Sequence, residues 1–297
     1  MKGENIMPLD FTNNLIAEIP ENLDFDVQYE DTKFDGKKYV INGNTDEYLG
    51  IVGDGFTCAS HTKFFTKVQE VMMDNLSQYE LLDADVRWSS CRNNAWAKMD
   101  INLPNVSADI TTSKHSSKVA RRFIALHGVD GSCSNLVFFG AIDFFCTNGI
   151  IVGQHDKVRR KNTSGFDLTT FGDKLHDHKD DFEQDTKKFQ RWAETDIGQF
   201  DVKTILESII KSDRMAEKMF SLYSQEANTR GRNLWALYSA FTNYATYADE
   251  RNGFQLRNTA NDNDAENMYK REHDVARWID TQAFKRMELA WPSFAAA

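Results

Sequence analysis

His176 and His178 stand among Asp177, Asp180 and Asp181, and imidazoles beside carboxylates are the residue types that hold a divalent metal and let it activate a water. That spacing gives a metal-dependent nuclease or hydrolase as one reading of the chain. The competing reading is an acidic, solvated helix start, because residues two apart on a helix do not face one another and carboxylates suit the helix N-terminus. A nucleophile is the second chemistry to weigh. His127 is followed by Asp130, Gly131, Ser132 and Cys133, but no GxSxG elbow marks the serine, and Gly131 reads as turn punctuation. With neither GxxxxGK[ST] nor GxGxxG in the sequence, phosphate-loop chemistry has no carrier.

Asp143 interrupts the apolar run FFGAIDFFC. A carboxylate there costs several kcal/mol unless it is paired or solvated. Pairing with Arg121 or Arg122 from a neighbouring strand is preferred over a catalytic role. Cys58, Cys91, Cys133 and Cys146 show no zinc-ligand spacing and read as small buried hydrophobes rather than as a disulfide framework.

Anion binding is the chemistry with the most residues behind it. KHSSKVARR (Lys114 to Arg122) and KVRRK (Lys157 to Lys161) carry no acid, whereas HDHKDDFEQD (His176 to Asp185) is strongly acidic. Lys118, Arg121, Arg122, Arg159, Arg160 and Lys161, with Lys114, form a candidate basic groove, bordered by Trp88, Trp96 and Phe139. A charged track with stacking rings is what sequence-neutral binding of single strands uses, and Trp88 and Trp96 are the candidate stacking residues. TRGRN adds Arg230 and Arg232; two arginines at a helix start disfavour the macrodipole unless a phosphate binds there. Salt bridges to Glu226 and to the acidic segment are the structural alternative. The net charge of −10 and the pI near 5.2 exclude a basic coat over the whole surface, while a local groove stays open.

The elements that must position these residues fall into an order. With 297 residues, 21 Phe and only 4 Pro, the chain can bury a large core. Residues 1–55 read as an arm or small strands, 56–172 as an α+β core and 173–297 as a helical region packed on it. SHTKFFTKVQEVMMDNL predicts a helix of about four turns, capped by Ser60 and burying Phe64, Val68, Val71, Met72 and Leu76. DVRWSSC and AWAKMDINLP flank Arg92, Asn93 and Asn94 as a hairpin with one buried face, from Ala95 to Leu103. KVARRFIALHG supplies a third strand. SNLVFFGAIDFFC supplies a fourth, ending at an Asn148-Gly149 turn, although a short apolar run of this kind also fits a helix. Beyond about Asp173 the pattern turns helical in FEQDTKKFQRWAETDI, VKTILESIIKSDRMAEKMFSLYSQ, NLWALYSAFTNYATYADE and REHDVARWIDTQAFKRMELAW, each with one apolar face. Strands first and helices afterwards make an α+β fold: an antiparallel sheet packed with helices in the N-terminal half, and a mainly helical C-terminal half. No run is long and apolar enough for a membrane span, and MKGENIMPLDF lacks a signal-peptide core, so a cytoplasmic protein without membrane contact is expected.

VDGS (Val129 to Ser132), DFFCTNGI, RRKNT and GRNLWALYSAFTNYATY resemble, in order across Val119 to Ile279, a set of phage and plasmid-like proteins of unknown function. That set has His before the Asp-Gly and Arg before the apolar pair and cysteine, where this chain has Val129 and Asp143, so no role transfers to those two positions. The resemblance implies a phage origin and action in the host cytoplasm. The order of helix, strand meander and helices is similar to that of phage single-strand annealing recombinases. The expectation is therefore a non-enzymatic, oligomeric protein without a cofactor that binds DNA, preferentially single-stranded, in recombination or replication. The alternatives are the metal enzyme at His176 and His178, and a protein-interaction module acting against a host defence.

Overall fold

The computed structural model describes residues 15–144, 148–150, 157–160, 168–247 and 264–290; the side chains of 148–150, 157–160, 169–170, 176–180 and 264–269 lie outside that description. The fold is α+β, with antiparallel sheets in the N-terminal half and mainly helices in the C-terminal half. The chain divides into two compact units: Met1–Val106 with Phe123–Phe138 and Lys157–His178, and Ser107–Arg122 with Phe139–Asp156 and Lys179–Ala297.

In the first unit, strands β1 (Val27–Asp31), β2 (Lys37–Asn42) and β3 (Tyr48–Gly53) form an antiparallel sheet in the order β1-β2-β3. Its inner residues Val40, Leu49 and Val52 close over Phe25, Ala95 and Val129. Helix α1 (His61–Asn75) forms where its pattern predicts. The Ser60 hydroxyl accepts from the Lys63 amide at 3.2 Å, and Phe64, Val68 and Met72 are buried. The short α2 (Gln78–Leu81) starts at Ser77, whose hydroxyl and the Glu80 carboxylate cap each other's backbone amides.

A six-stranded sheet follows, built from β4 (Asp85–Cys91), β5 (Trp96–Thr111), β6 (Ser116–Gly128), β7 (Asn135–Asp143), β8 (Asn148–Ile150) and β9 (Lys157–Arg160). The order is β4-β5-β6-β7-β8, with β9 also on β7. Cys91 faces Trp96 in the β4–β5 hairpin, and its turn residues Arg92, Asn93 and Asn94 all have positive φ (55°, 53° and 64°). Asparagine tolerates that left-handed region better than most residues. The apolar run at 135–143 is a strand, which settles its helix-or-strand ambiguity.

Two expectations for this sheet change. Asp143 pairs with Asn148 and Ile142 with Gly149, so the chain reverses before Asn148, and the Asn-Gly pair opens β8 instead of making the turn. Glycine is tolerated there because β8 is short and lies at the edge of the strand order. The expected single buried face of β5 is also incomplete, since Lys98, Asp100 and Asn102 on its polar face are buried as well. Mutual bonding offsets their desolvation: Lys98 Nζ lies 3.5 Å from Asp100 Oδ2, and Asn102 Nδ2 donates to Asp85 Oδ2 at 3.1 Å.

The helices are α3 (Thr169–Glu194), α4 (Val202–Ile209), α5 (Asp213–Arg230), α6 (Leu234–Tyr247), α7 (Asp264–Ile279) and α8 (Gln282–Glu288). Two patterns that read as continuous are broken by caps. The Ser212 hydroxyl takes the Met215 amide and starts α5 afresh, and the Thr281 hydroxyl takes the Phe284 amide and starts α8. A hydroxyl that satisfies a first-turn amide competes with the continuing helix, which periodicity alone does not register. Helix α6 departs furthest from its one-faced pattern, because every residue from Leu234 to Ala245 is buried. Within the second unit its rings meet those of other helices, with centroids 5.1 Å apart for Phe189 and Trp235, 4.9 Å for Trp192 and Tyr238, and 5.3 Å for Phe241 and Trp278. No helix among the described residues is long and apolar enough to cross a membrane.

Candidate nucleic-acid interface

The sequence-predicted cations separate by burial. Arg121 and Arg122 are 2% and 3% exposed, and Arg230 is fully buried. Arg121 and Arg122 sit on a strand buried on both sides and Arg230 at the inner end of a helix, and for two of them a carboxylate answers the burial: Arg122 Nη1 lies 3.1 Å from Glu272 Oε1. Arg230 donates through Nη2 to Asp143 Oδ2 at 2.8 Å, through Nε to Glu226 Oε2 at 3.0 Å, and through Nη1 to the Ser117 hydroxyl at 3.1 Å. Asn243 Nδ2 closes the set on Glu226 Oε1 at 3.2 Å. The carboxylate inside the apolar strand thus has the guanidinium its burial requires, supplied by a helix 87 residues further along the chain. Arg230 also closes α5 and does not open a helix, so its charge suits the dipole without any phosphate.

Arg232 behaves differently. It follows Gly231, whose φ of +92° ends α5, and it is exposed. A short bridge fixes it there. Asp196 pairs with Asn233, the Ile197 amide donates to Arg232 O at 3.0 Å, and the Leu234 amide donates to Thr195 O at 3.0 Å. Asn233 then caps α6 by accepting from the Ala236 amide at 2.9 Å. In the same unit, the turn between β5 and β6 is held by the Thr112 hydroxyl, which accepts from the Lys114 and His115 amides at 3.2 and 3.0 Å. Lys114 is exposed at its tip.

Lys114 and Arg232, 118 positions apart, line one cavity of about 400 Å³ in the second unit. Phe200, Phe220 and Tyr223 supply its aromatic wall, and Ser224 and Asn228 its neutral polar groups. Phe220, Tyr223, Ser224, Ala227 and Asn228 recur at helical spacing on one side of α5. That spacing is the signal by which the sequence could have shown the wall. Burial pushes the Tyr223 hydroxyl above its ordinary value, and the nearby Arg232 guanidinium opposes the shift. Asp201 is the one carboxylate in the lining. It is spoken for by the Thr204 amide at 3.2 Å and the Thr204 hydroxyl at 2.8 Å, which hold it below the usual carboxyl range.

The remaining candidates are not gathered at this cavity. Lys118 is exposed on β6, on the opposite side from its neighbour Ser117, which faces Asp143. Trp88 and Trp96 belong to the first unit. Trp88 packs edge-on against Phe65 at 5.0 Å, and the buried Trp96 donates to Asp130 Oδ1 and the Ser132 hydroxyl, so its ring is committed to structure. Arg159 and Arg160 lie on β9 with side chains outside the described residues, as does Lys161 altogether. His176 and His178 fall on α3, again with undescribed side chains, and no cluster of three metal-ligating residues occurs among the described residues.

The nucleophile reading finds no base. The Ser132 hydroxyl donates to Asp130 Oδ1 at 2.6 Å and accepts from Arg92 and Trp96, which makes it part of a turn. His127 turns its Nδ1 instead to His61 Nδ1, 2.7 Å away, among Phe64 and Phe65. Burial lowers the His61 imidazole to about 4, and its Nε2 meets Asn94 O at 2.8 Å.

An α+β chain with an antiparallel meander, a helical C-terminal half and a ring-walled cationic cavity is the class this geometry defines. The chain belongs to the family described as domain of unknown function (DUF932), whose model matches residues 48–290. No curated protein and no solved structure matches it.

Proposed function

We propose that this protein binds single-stranded DNA, as a homo-oligomer in the host cytoplasm during phage infection, and supports annealing recombination or replication. The observation that carries the reading is the convergence of Lys114 and Arg232 on one cavity walled by Phe200, Phe220 and Tyr223. Cations hold the backbone and ring faces take bases of any sequence, which is how single strands are bound without base readout. Lys118 is exposed on β6 but stands apart from the cavity, while Arg122 and Arg230 serve the second unit through their buried ion pairs. A helix ahead of an antiparallel meander, with a long helix after it, is also similar to the element order of annealing recombinases, which supports this reading. The net charge of −10 disfavours strand contact elsewhere on the chain, and counterion release at the Lys114 and Arg232 contacts makes binding weaken with salt.

Fluorescence anisotropy with labelled single- and double-stranded oligonucleotides, over a range of salt concentrations, tests the proposal. Single strands are expected to bind more tightly, and each of Lys114→Ala and Arg232→Ala should reduce the slope of log K against log salt by about 0.7. Binding that is absent, or indifferent to salt, overturns it.

A further inference from the structure

We infer that the cavity between Lys114 and Arg232 is a single-nucleotide subsite, which takes one unstacked base of a strand with its phosphate between the two cations. The inference rests on the proposed strand binding and deepens it by naming what enters the cavity. A volume of about 400 Å³ is that of a pocket for one small ligand. The rings of Phe200, Phe220 and Tyr223 in the lining suit a planar heterocycle better than an aliphatic chain, since every base has a π-face to stack. Lys114 comes from the β5–β6 turn and Arg232 from the connection between α5 and α6, so a phosphate between them would be held by two separate segments.

The Tyr223 hydroxyl is an independent pointer. Tyr223 is 4% exposed and lines the cavity, and its hydroxyl makes no close hydrogen bond among the described residues, with the Arg232 guanidinium as the nearby donor. A buried hydroxyl left unsatisfied is costly, and a polar base edge brought into the cavity would satisfy it. Asn228, exposed at the rim, offers both a donor and an acceptor to the same edge. Asp201 is negative and repels a phosphate, and the Thr204 bonds hold its oxygens on its own side of the lining, which leaves Lys114 and Arg232 as the anion-binding groups.

Isothermal titration of the full chain with deoxyadenosine monophosphate, deoxyadenosine and inorganic phosphate tests the subsite. The nucleotide is expected to bind saturably at one site, with phosphate and nucleoside each weaker by about tenfold or more, the worth of one charge-assisted hydrogen bond. Arg232→Ala should weaken the nucleotide by about tenfold on the same grounds, and Tyr223→Phe, which keeps the ring, should weaken it several-fold, while both variants melt like the parent. Phosphate binding as well as the nucleotide does, or unchanged affinity in both variants, overturns the inference. Strand binding without mononucleotide binding removes the subsite and leaves the proposed function standing. Mononucleotide binding without strand binding removes the proposed function and, with it, the reading of the cavity as part of a strand site.

Discussion

Arg230→Met is expected to lower the unfolding free energy by about 3–5 kcal/mol, the usual cost of removing one partner from a buried ion pair. The side chain is fully buried, and its guanidinium serves the carboxylates of Asp143 and Glu226 together with the Ser117 hydroxyl. Methionine fills a similar length of the cavity but donates nothing, so both carboxylates would keep their desolvation cost and lose that cation. The double variant Arg230→Met, Asp143→Leu should recover part of the loss, because an apolar pair of similar volume often replaces a buried ion pair with little penalty. Urea unfolding with an unchanged m-value reads both changes. A loss below about 1 kcal/mol for the single variant would return the cluster to the rank of a surface salt bridge.

The second large effect concerns pH. His61 has an unperturbed value of 6.5, and burial lowers it to about 4 in the folded chain. Below pH 6.5 the unfolded chain binds a proton that the folded chain refuses, so stability is full above that value and falls as the pH drops toward 4. A shift of this size amounts to about 3 kcal/mol over the window. The carbon-bound protons of the His61 ring should show no titration step near 6.5 in a proton NMR series, and a step there would contradict the buried geometry. Stability measured against pH should decline across the same window, less steeply in His61→Phe by about one proton. The Nδ1-to-Nδ1 contact with His127 requires one ring to donate and the other to accept, so a charge on both rings would break it.

Much of the fold is legible in the sequence because local patterns and global packing agree there. Ser60 with Phe64, Val68 and Met72 specifies α1, and alternation on either side of Arg92–Asn94 specifies the β4–β5 hairpin. Legibility fails where a single side chain outweighs a period. Ser212 and Thr281 each divide a segment that keeps its apolar spacing throughout, and Lys98, Asp100 and Asn102 look solvated until their partners are known. The candidate site divides in the same way. Lys114 and Arg232 stand out as charges in an acidic chain, but charge does not tell them from Arg121, Arg122 and Arg230, because the difference lies in burial and, for Arg122 and Arg230, in the carboxylates that fold against them. Asp143 announces that it needs a cation, yet the sequence cannot name a partner 87 residues away. Tyr223 was the least visible, since it reads as an ordinary core ring on α5 and its role depends on what its hydroxyl lacks.

Helix α6 carries a consequence on an evolutionary scale. Twelve of its fourteen residues are buried, from Leu234 to Ala245. Most helices have a wet face along which substitutions accumulate at little cost, and this one has almost none. Nearly every change along it alters the packing of a ring or removes a polar partner, so the segment would drift slowly while the exposed parts of the chain diverge. Such a stretch keeps a lineage recognisable long after its surface has been rewritten for a new partner.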